Sequence, residues 1–174
     1  MGMYTAVKFS ATLNDTGRAV VDFLEKVRPD ETTQKKTWQI AAEHFEFSWL
    51  SDWAKVRRCD FIPWGSYTPG SRDLDDVGHQ HVLVETPSTT SDYVFRNILP
   101  ERSEDGCVWH VSSELKNYED EIQNFCANVL PHMISAPCTV YYQYEYYQYE
   151  ERRYDYDDPT PEYTTLTVMP QEDA

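Results

Sequence analysis

"MYTAVKFSATLNDTGRAVVDFLEKVRP", Met3 to Pro29, changes its hydrophobic period once, and that change points to the fold class. From Met3 to Leu13 the period is two. Met3, Val7, Phe9, Ala11 and Leu13 share one face, and Tyr4, Ala6, Lys8, Ser10 and Thr12 share the other, as in a half-buried strand. Asn14 or Asp15 then supplies an N-cap oxygen. Val20, Phe23, Leu24 and Val27 follow at helical spacing, and Pro29 closes the segment. A strand that feeds a capped helix opens the chain as a β-α unit.

Working outward, residues 31 to 57 read as helix in two pieces. Thr32 or Thr33 starts the first, with an apolar stripe of Trp38, Ala41, Ala42 and Phe45. Ser48 or Ser51 restarts the second, with Trp49, Leu50, Trp53 and Val56. Cys59 to Gly78 is rich in Pro, Gly and Asp and reads as loop. His81 to Glu85 reads as a strand, Ser91 to Leu99 as a short helix before Pro100, and Cys107 to Val111 as a short strand. Ile122, Phe125, Cys126, Val129 and Leu130 define a helix around Asn117 to His132, with Glu119, Asp120 and Glu121 in its dipole-favoured first turn. Thr139 onward and Tyr163 to Val168 read as strands. Asp157-Asp158-Pro159-Thr160-Pro161 between them is turn chemistry, so they should form a hairpin, with Pro161 marking an edge strand. The expected fold is α+β. It is a single domain over 1–169 with a mixed, mostly antiparallel sheet, helices mainly on one face and a C-terminal β-hairpin; an acidic tail at 170–174 should fray.

The 174 residues carry 30 acids against 15 bases, a formal charge of −15. That field repels nucleic acid and anionic membranes and attracts basic partners. Direct nucleic-acid binding and a membrane role are therefore not expected. No stretch reaches the roughly 20 apolar residues of a spanning helix, and Met1-Gly2-Met3-Tyr4 does not start a signal peptide, so a cytosolic location is expected. Cys59, Cys107, Cys126 and Cys138 lack CxxC spacing and read as reduced, mostly buried thiols. Only six glycines are present and no phosphate loop is among them, so no cofactor is expected.

Few residues suggest chemistry. His79 and His81 share a face, with Asp73, Asp75 and Asp76 just upstream, but no third ligand has a fixed spacing; no metal site is assigned. His110-Val111-Ser112 has the His-x-Ser form that two-histidine phosphoesterases use in pairs. His81 and His132 lack the matching hydroxyl, so a second copy is missing and no catalytic residue is assigned. The seven acids from Glu101 to Glu121 read as a solvated face. Lys35, Lys36, Lys55, Arg57 and Arg58, interleaved with Trp38, Trp49 and Trp53, are expected to pair with the protein's own acids.

The C-terminus is the most unusual part of the chain. Tyr141 to Glu150 writes Tyr-Tyr-Gln-Tyr-Glu twice, and from Tyr142 to Ala174 there are nine acids and two bases. Carboxylates two residues apart on a strand lie about 6.6–6.8 Å apart, a spacing comparable to that of phosphates along one nucleic-acid strand. Tyr144, Glu145, Tyr147, Tyr149, Glu150, Glu151, Asp155, Asp157 and Asp158 are the candidate partner-binding residues, with tyrosines supplying contact area. The odd repeat length would turn the second copy to the opposite face, so a bulge near Tyr146-Tyr147 is expected.

"WHVSSELKNYEDEIQNF" (Trp109 to Phe125), followed by "YEERRYDYDDPTPEYTTL" (Tyr149 to Leu166), resembles a family of small phage and prophage proteins with no assigned reaction. The resemblance covers the C-terminal half and implies a mobile-element setting; no residue roles transfer. The expected function is that of a non-enzymatic acidic protein. It would engage a basic, nucleic-acid-binding host or defence protein as an inhibitor or nucleic-acid mimic. The alternatives are a metal-dependent or two-histidine hydrolase using His110 and Ser112, and a phage structural or assembly protein.

Overall fold

The structure is a computed structural model that describes residues 4–27, 35–64, 98–146 and 164–172. Five strands form one sheet in the order β2-β3-β1-β4-β5: β1 (Tyr4–Thr12), β2 (Ile98–Arg102), β3 (Val108–Leu115), β4 (Cys138–Tyr146) and β5 (Thr164–Val168). Every pairing is antiparallel. The N-terminal strand lies at the centre, between β3 and β4. Its inward residues Val7, Phe9 and Ala11 oppose Ser113, Val111 and Trp109 of β3, so the alternation read from the sequence is continued across the sheet. All six are buried.

The helices α1 (Asp15–Lys26), α2 (Thr37–Phe45), α3 (Ser48–Ala54), the short turn α4 (Phe61–Trp64) and α5 (Glu121–Asn128) share one core cluster with this inner face. Phe125 of α5 is its hub. The ring lies 5.9 Å from Phe9, 6.2 Å from Trp38 and 5.2 Å from Trp53, a cluster of large aromatic surfaces that makes up for scarce aliphatics. Two polar atoms entering this core are paired, Trp38 Nε1 donating to the Ile62 carbonyl at 2.6 Å and Ser113 Oγ to the Pro63 carbonyl, whereas Trp53 Nε1, Thr5 Oγ1 and Thr37 Oγ1 are buried without a hydrogen bond among the described residues.

Asn14 joins three elements. Its Oδ1 accepts from the Gly17 amide at 2.7 Å and caps α1, as expected from the sequence. Its Nδ2 donates to the carbonyls of His132 and Ile134. A Cβ at Gly17 would overlap the Met133 carbonyl oxygen, so the first turn of α1 and the 130–134 segment approach as closely as glycine permits. On the far side, Arg102 bonds the Gly106 carbonyl across its own hairpin turn and pairs with Asp22 and Glu25 of α1.

Several expected elements differ. The first piece of the helical pair starts at Thr37, where the Lys36 amide donates to Gln39 Oε1 at 2.9 Å; Thr32 and Thr33 lie outside the described residues. Cys59–Trp64, expected as loop, is packed into the core. Ile98 and Leu99, expected to end a helix, begin β2, because a residue before proline is pushed to extended backbone and Ile98 pairs with Ser112. The long helix at Asn117–His132 shortens to Glu121–Asn128. Asn117 Oδ1 accepts from the Ile122 amide as a remote cap, and the 3₁₀ turn at Leu130–His132 takes in Pro131. The strand read as Cys107–Val111 runs on to Leu115. The His81–Glu85 strand lies outside the described residues.

The C-terminal hairpin expectation agrees with the pairing of β4 and β5, in which Cys138 opposes Val168 and Tyr142 opposes Thr164. Among the described residues β5 is one edge of the sheet and β2 the other. The tail expected to fray is still tied at Gln171, whose amide donates to the Pro131 carbonyl at 2.9 Å.

Candidate functional site

Because helices cover the inner face, the other sheet face collects the polar members of each strand. Lys8 and Ser10 of β1 oppose Ser112 and His110 of β3, Lys8 also opposes Tyr141 of β4, and Glu101 of β2 opposes His110. Burial falls off along this face. Lys8 and Ser112 are only 3% and 1% exposed, Ser10 and His110 are half-buried, and Thr12, Thr139 and Thr167 are exposed. Lys8, Ser112 and Tyr141 all have contacts of their own. The imidazole of His110 meets a hydroxyl: its Nδ1 lies 2.8 Å from Ser10 Oγ. The hydroxyl the sequence pointed to, Ser112, lies two residues along the same strand, opposite Lys8 instead. Sequence reading missed Ser10 and Lys8, since only strand pairing brings them to His110.

The partner-binding candidates sit at the end of β4. Tyr144 and Glu145 fall in its backbone, while Tyr147, Tyr149, Glu150, Glu151, Asp155, Asp157 and Asp158 lie outside the described residues. The register slips here. Ala6 opposes Gln143 and Tyr4 opposes Tyr146, so the two residues Tyr144 and Glu145 stand against the single residue Thr5. The bulge thus falls inside the first copy of the repeat, ahead of the expected Tyr146-Tyr147. One extra residue there switches the face that the following residues occupy.

His79, His81, Asp73, Asp75 and Asp76 lie outside the described residues. Among the described residues, no group of three His, Cys, Asp or Glu could hold a metal ion. Three of the four cysteines are buried thiols: burial pushes Cys59 and Cys126 up to about 12 and Cys138 to about 11. Cys107 is half-buried.

The cationic stretch is largely neutralised, as its sequence context suggests. Lys35 pairs with Glu43 at 2.9 Å, Lys55 with Asp52 at 3.7 Å and Arg58 with the fully buried Glu121 at 2.8 Å, and Lys36 Nζ bonds the Val56 and Arg57 carbonyls. Trp38 and Trp53 are core. Trp49 is stacked between Phe47 at 5.5 Å and His132 at 4.7 Å. A cleft of about 410 Å³ beside it is lined by Asn14, Thr16, Pro131 and Gln171, but both faces of the indole are already covered. Burial also lowers the pKa of His132.

The fold is therefore of the α+β class, with an antiparallel sheet covered by helices on one face. No protein-family model, curated protein or solved structure matches the chain. Among the described residues, no helix is long and apolar enough to cross a membrane.

Proposed function

We propose that this chain is a phage-type binding protein whose acidic, tyrosine-rich C-terminal hairpin engages a basic, nucleic-acid-binding host or defence protein as an inhibitor or decoy. The supporting observation is where the hairpin sits. Among the described residues its second strand is an edge of the sheet, and the stretch Tyr142 to Ala174 concentrates nine acids against two bases. β5 itself, Thr164–Val168, holds no acid; the acids come before and after it in the sequence, and a negative charge of that density suits a groove that accepts phosphates. Elsewhere the described cations are mostly matched by the protein's own acids and carbonyls, so the excess negative charge is not cancelled locally. Reversing Glu150, Glu151, Asp155, Asp157 and Asp158 to lysine should abolish the complex, with the fold checked by circular dichroism. Binding that survives these reversals would defeat the proposal.

The enzymatic alternative has one observation in its favour, the hydrogen bond between an imidazole and a hydroxyl. That hydroxyl belongs to Ser10, not Ser112, and the other two described histidines are engaged elsewhere, His44 on Phe23 and His132 on Trp49. General acid–base turnover of a phosphodiester needs a second proton-transfer partner. The pair therefore favours ligand binding over turnover.

A further inference from the structure

Two tripeptides on adjacent strands, Lys8-Phe9-Ser10 and His110-Val111-Ser112, run antiparallel and in register. Phe9 and Val111 point into the core at 2% and 0% exposure, which sends the other four side chains to the outer face. A base stands opposite a hydroxyl in both pairs: Lys8 against Ser112, and His110 against Ser10. Opposed Cβ atoms on such a ladder are about 4.5–5.5 Å apart and diagonal ones about 7–8 Å, within reach of one another for long side chains. An ammonium, an imidazole and two hydroxyls are thus set at the corners of a patch that a single tetrahedral oxyanion can span.

We propose that this block is a binding site for the phosphate group of a phosphate ester, independent of the C-terminal hairpin. His110 Nε2, Lys8 and the Ser112 hydroxyl provide its donors, and Ser10 positions the ring. The Ser10–His110 contact at 2.8 Å orients the ring through Nδ1. When Ser10 donates in that bond, the neutral imidazole carries its proton on Nε2 and remains a donor to an anion. Lys8 and Ser112 form the buried end, where a charge is less screened than in water. Both already have contacts, so the ligand joins or exchanges with these. Access is from the shallow end, past the exposed Thr12, Thr139 and Thr167, whose hydroxyls suit the remainder of an ester. Glu101, opposite His110, is exposed, so solvent and salt weaken its repulsion of an anion. The chain's net charge of −15 acts over a screening length of about 8 Å at physiological salt, which leaves the local charge of Lys8 effective.

The test is a nuclear magnetic resonance titration of the full chain with inorganic phosphate and, separately, with dimethyl phosphate, against chloride at matched ionic strength. The expected result is saturable shifts confined to the amides of residues 8–12 and 108–112. Ser10→Ala and His110→Gln should each weaken the affinity about tenfold or more, as loss of a hydrogen bond to a charged group does. Ser10→Thr, which keeps the hydroxyl, should stay near wild type. Because Lys8 is buried, Lys8→Arg is used to retain the charge and Lys8→Met to remove it; only the second should abolish binding, and loss of the fold in either shows in the same spectra. Saturation by phosphate alone identifies a monoester-type site, and saturation by the diester identifies a diester-type site. Shifts that do not saturate, that chloride reproduces, or that persist unchanged in Ser10→Ala and His110→Gln would overturn the proposal.

Discussion

Asp60 is where burial and charge oppose each other most directly. It is 6% exposed, and burial raises its pKa while the Trp38 and Thr37 amides and Lys36 pull it back down. An acid whose folded pKa is raised binds its proton more tightly when folded. Its contribution to stability is present below the ordinary carboxylate range and is lost as pH rises through the raised value. The part of the stability that Asp60 contributes should therefore fall as pH rises from about 4. Asp60→Asn, which keeps an oxygen for those amides, should remove that part of the pH dependence and be at least as stable at neutral pH. Urea unfolding of both proteins from acid to neutral pH checks this; parallel curves would contradict it. The cysteines make a second prediction at this scale. With Cys59, Cys126 and Cys138 held at about 12, 12 and 11 by burial, iodoacetamide near pH 8 should label Cys107 alone in the native protein and all four in denaturant, read as mass increments.

At the scale of elements, the junction of β1, α1 and the 130–134 turn carries a testable load. Asn14→Ala removes a cap and two further side-chain bonds, and should cost about 2–3 kcal/mol. Gly17→Ala should also destabilise, although alanine normally gains about 1 kcal/mol over glycine in a helix, because its Cβ would meet the Met133 carbonyl. Thermal melts of both variants decide the sign. This junction also shows what the sequence makes legible. β1, α1, β4 and β5 were readable because their periods, caps and turn residues are local. β2 was not, because Pro100 masks a strand whose support is its pairing with β3. α5 was read too long, because its cap is the side chain of Asn117, outside the helix. The bulge was foreseen from the odd repeat but placed too late, since its position depends on the β1 register. The Ser10–His110 pair joins residues 100 apart, and only the strand order makes them neighbours.

For the whole molecule, the two faces of the sheet divide the work. The inner face and its helices bury the tryptophans and Phe125 and make the fold. The outer face carries Lys8, Ser10, His110 and Ser112, and β5, which follows the acidic, tyrosine-rich stretch in the sequence, pairs with β4. The net charge of −15 favours fast, salt-sensitive encounter with a basic partner, because screening acts on exposed charge first. The most direct measurement is affinity capture from a bacterial lysate at low salt. The immobilised wild-type chain would be set beside the variant carrying Glu150→Lys, Glu151→Lys, Asp155→Lys, Asp157→Lys and Asp158→Lys, and both eluted in rising salt. The account predicts nucleic-acid-binding proteins on the wild type that leave as salt rises and are displaced by added DNA or RNA, with none on the variant. Equal retention by both chains, unchanged by salt or by nucleic acid, would contradict it.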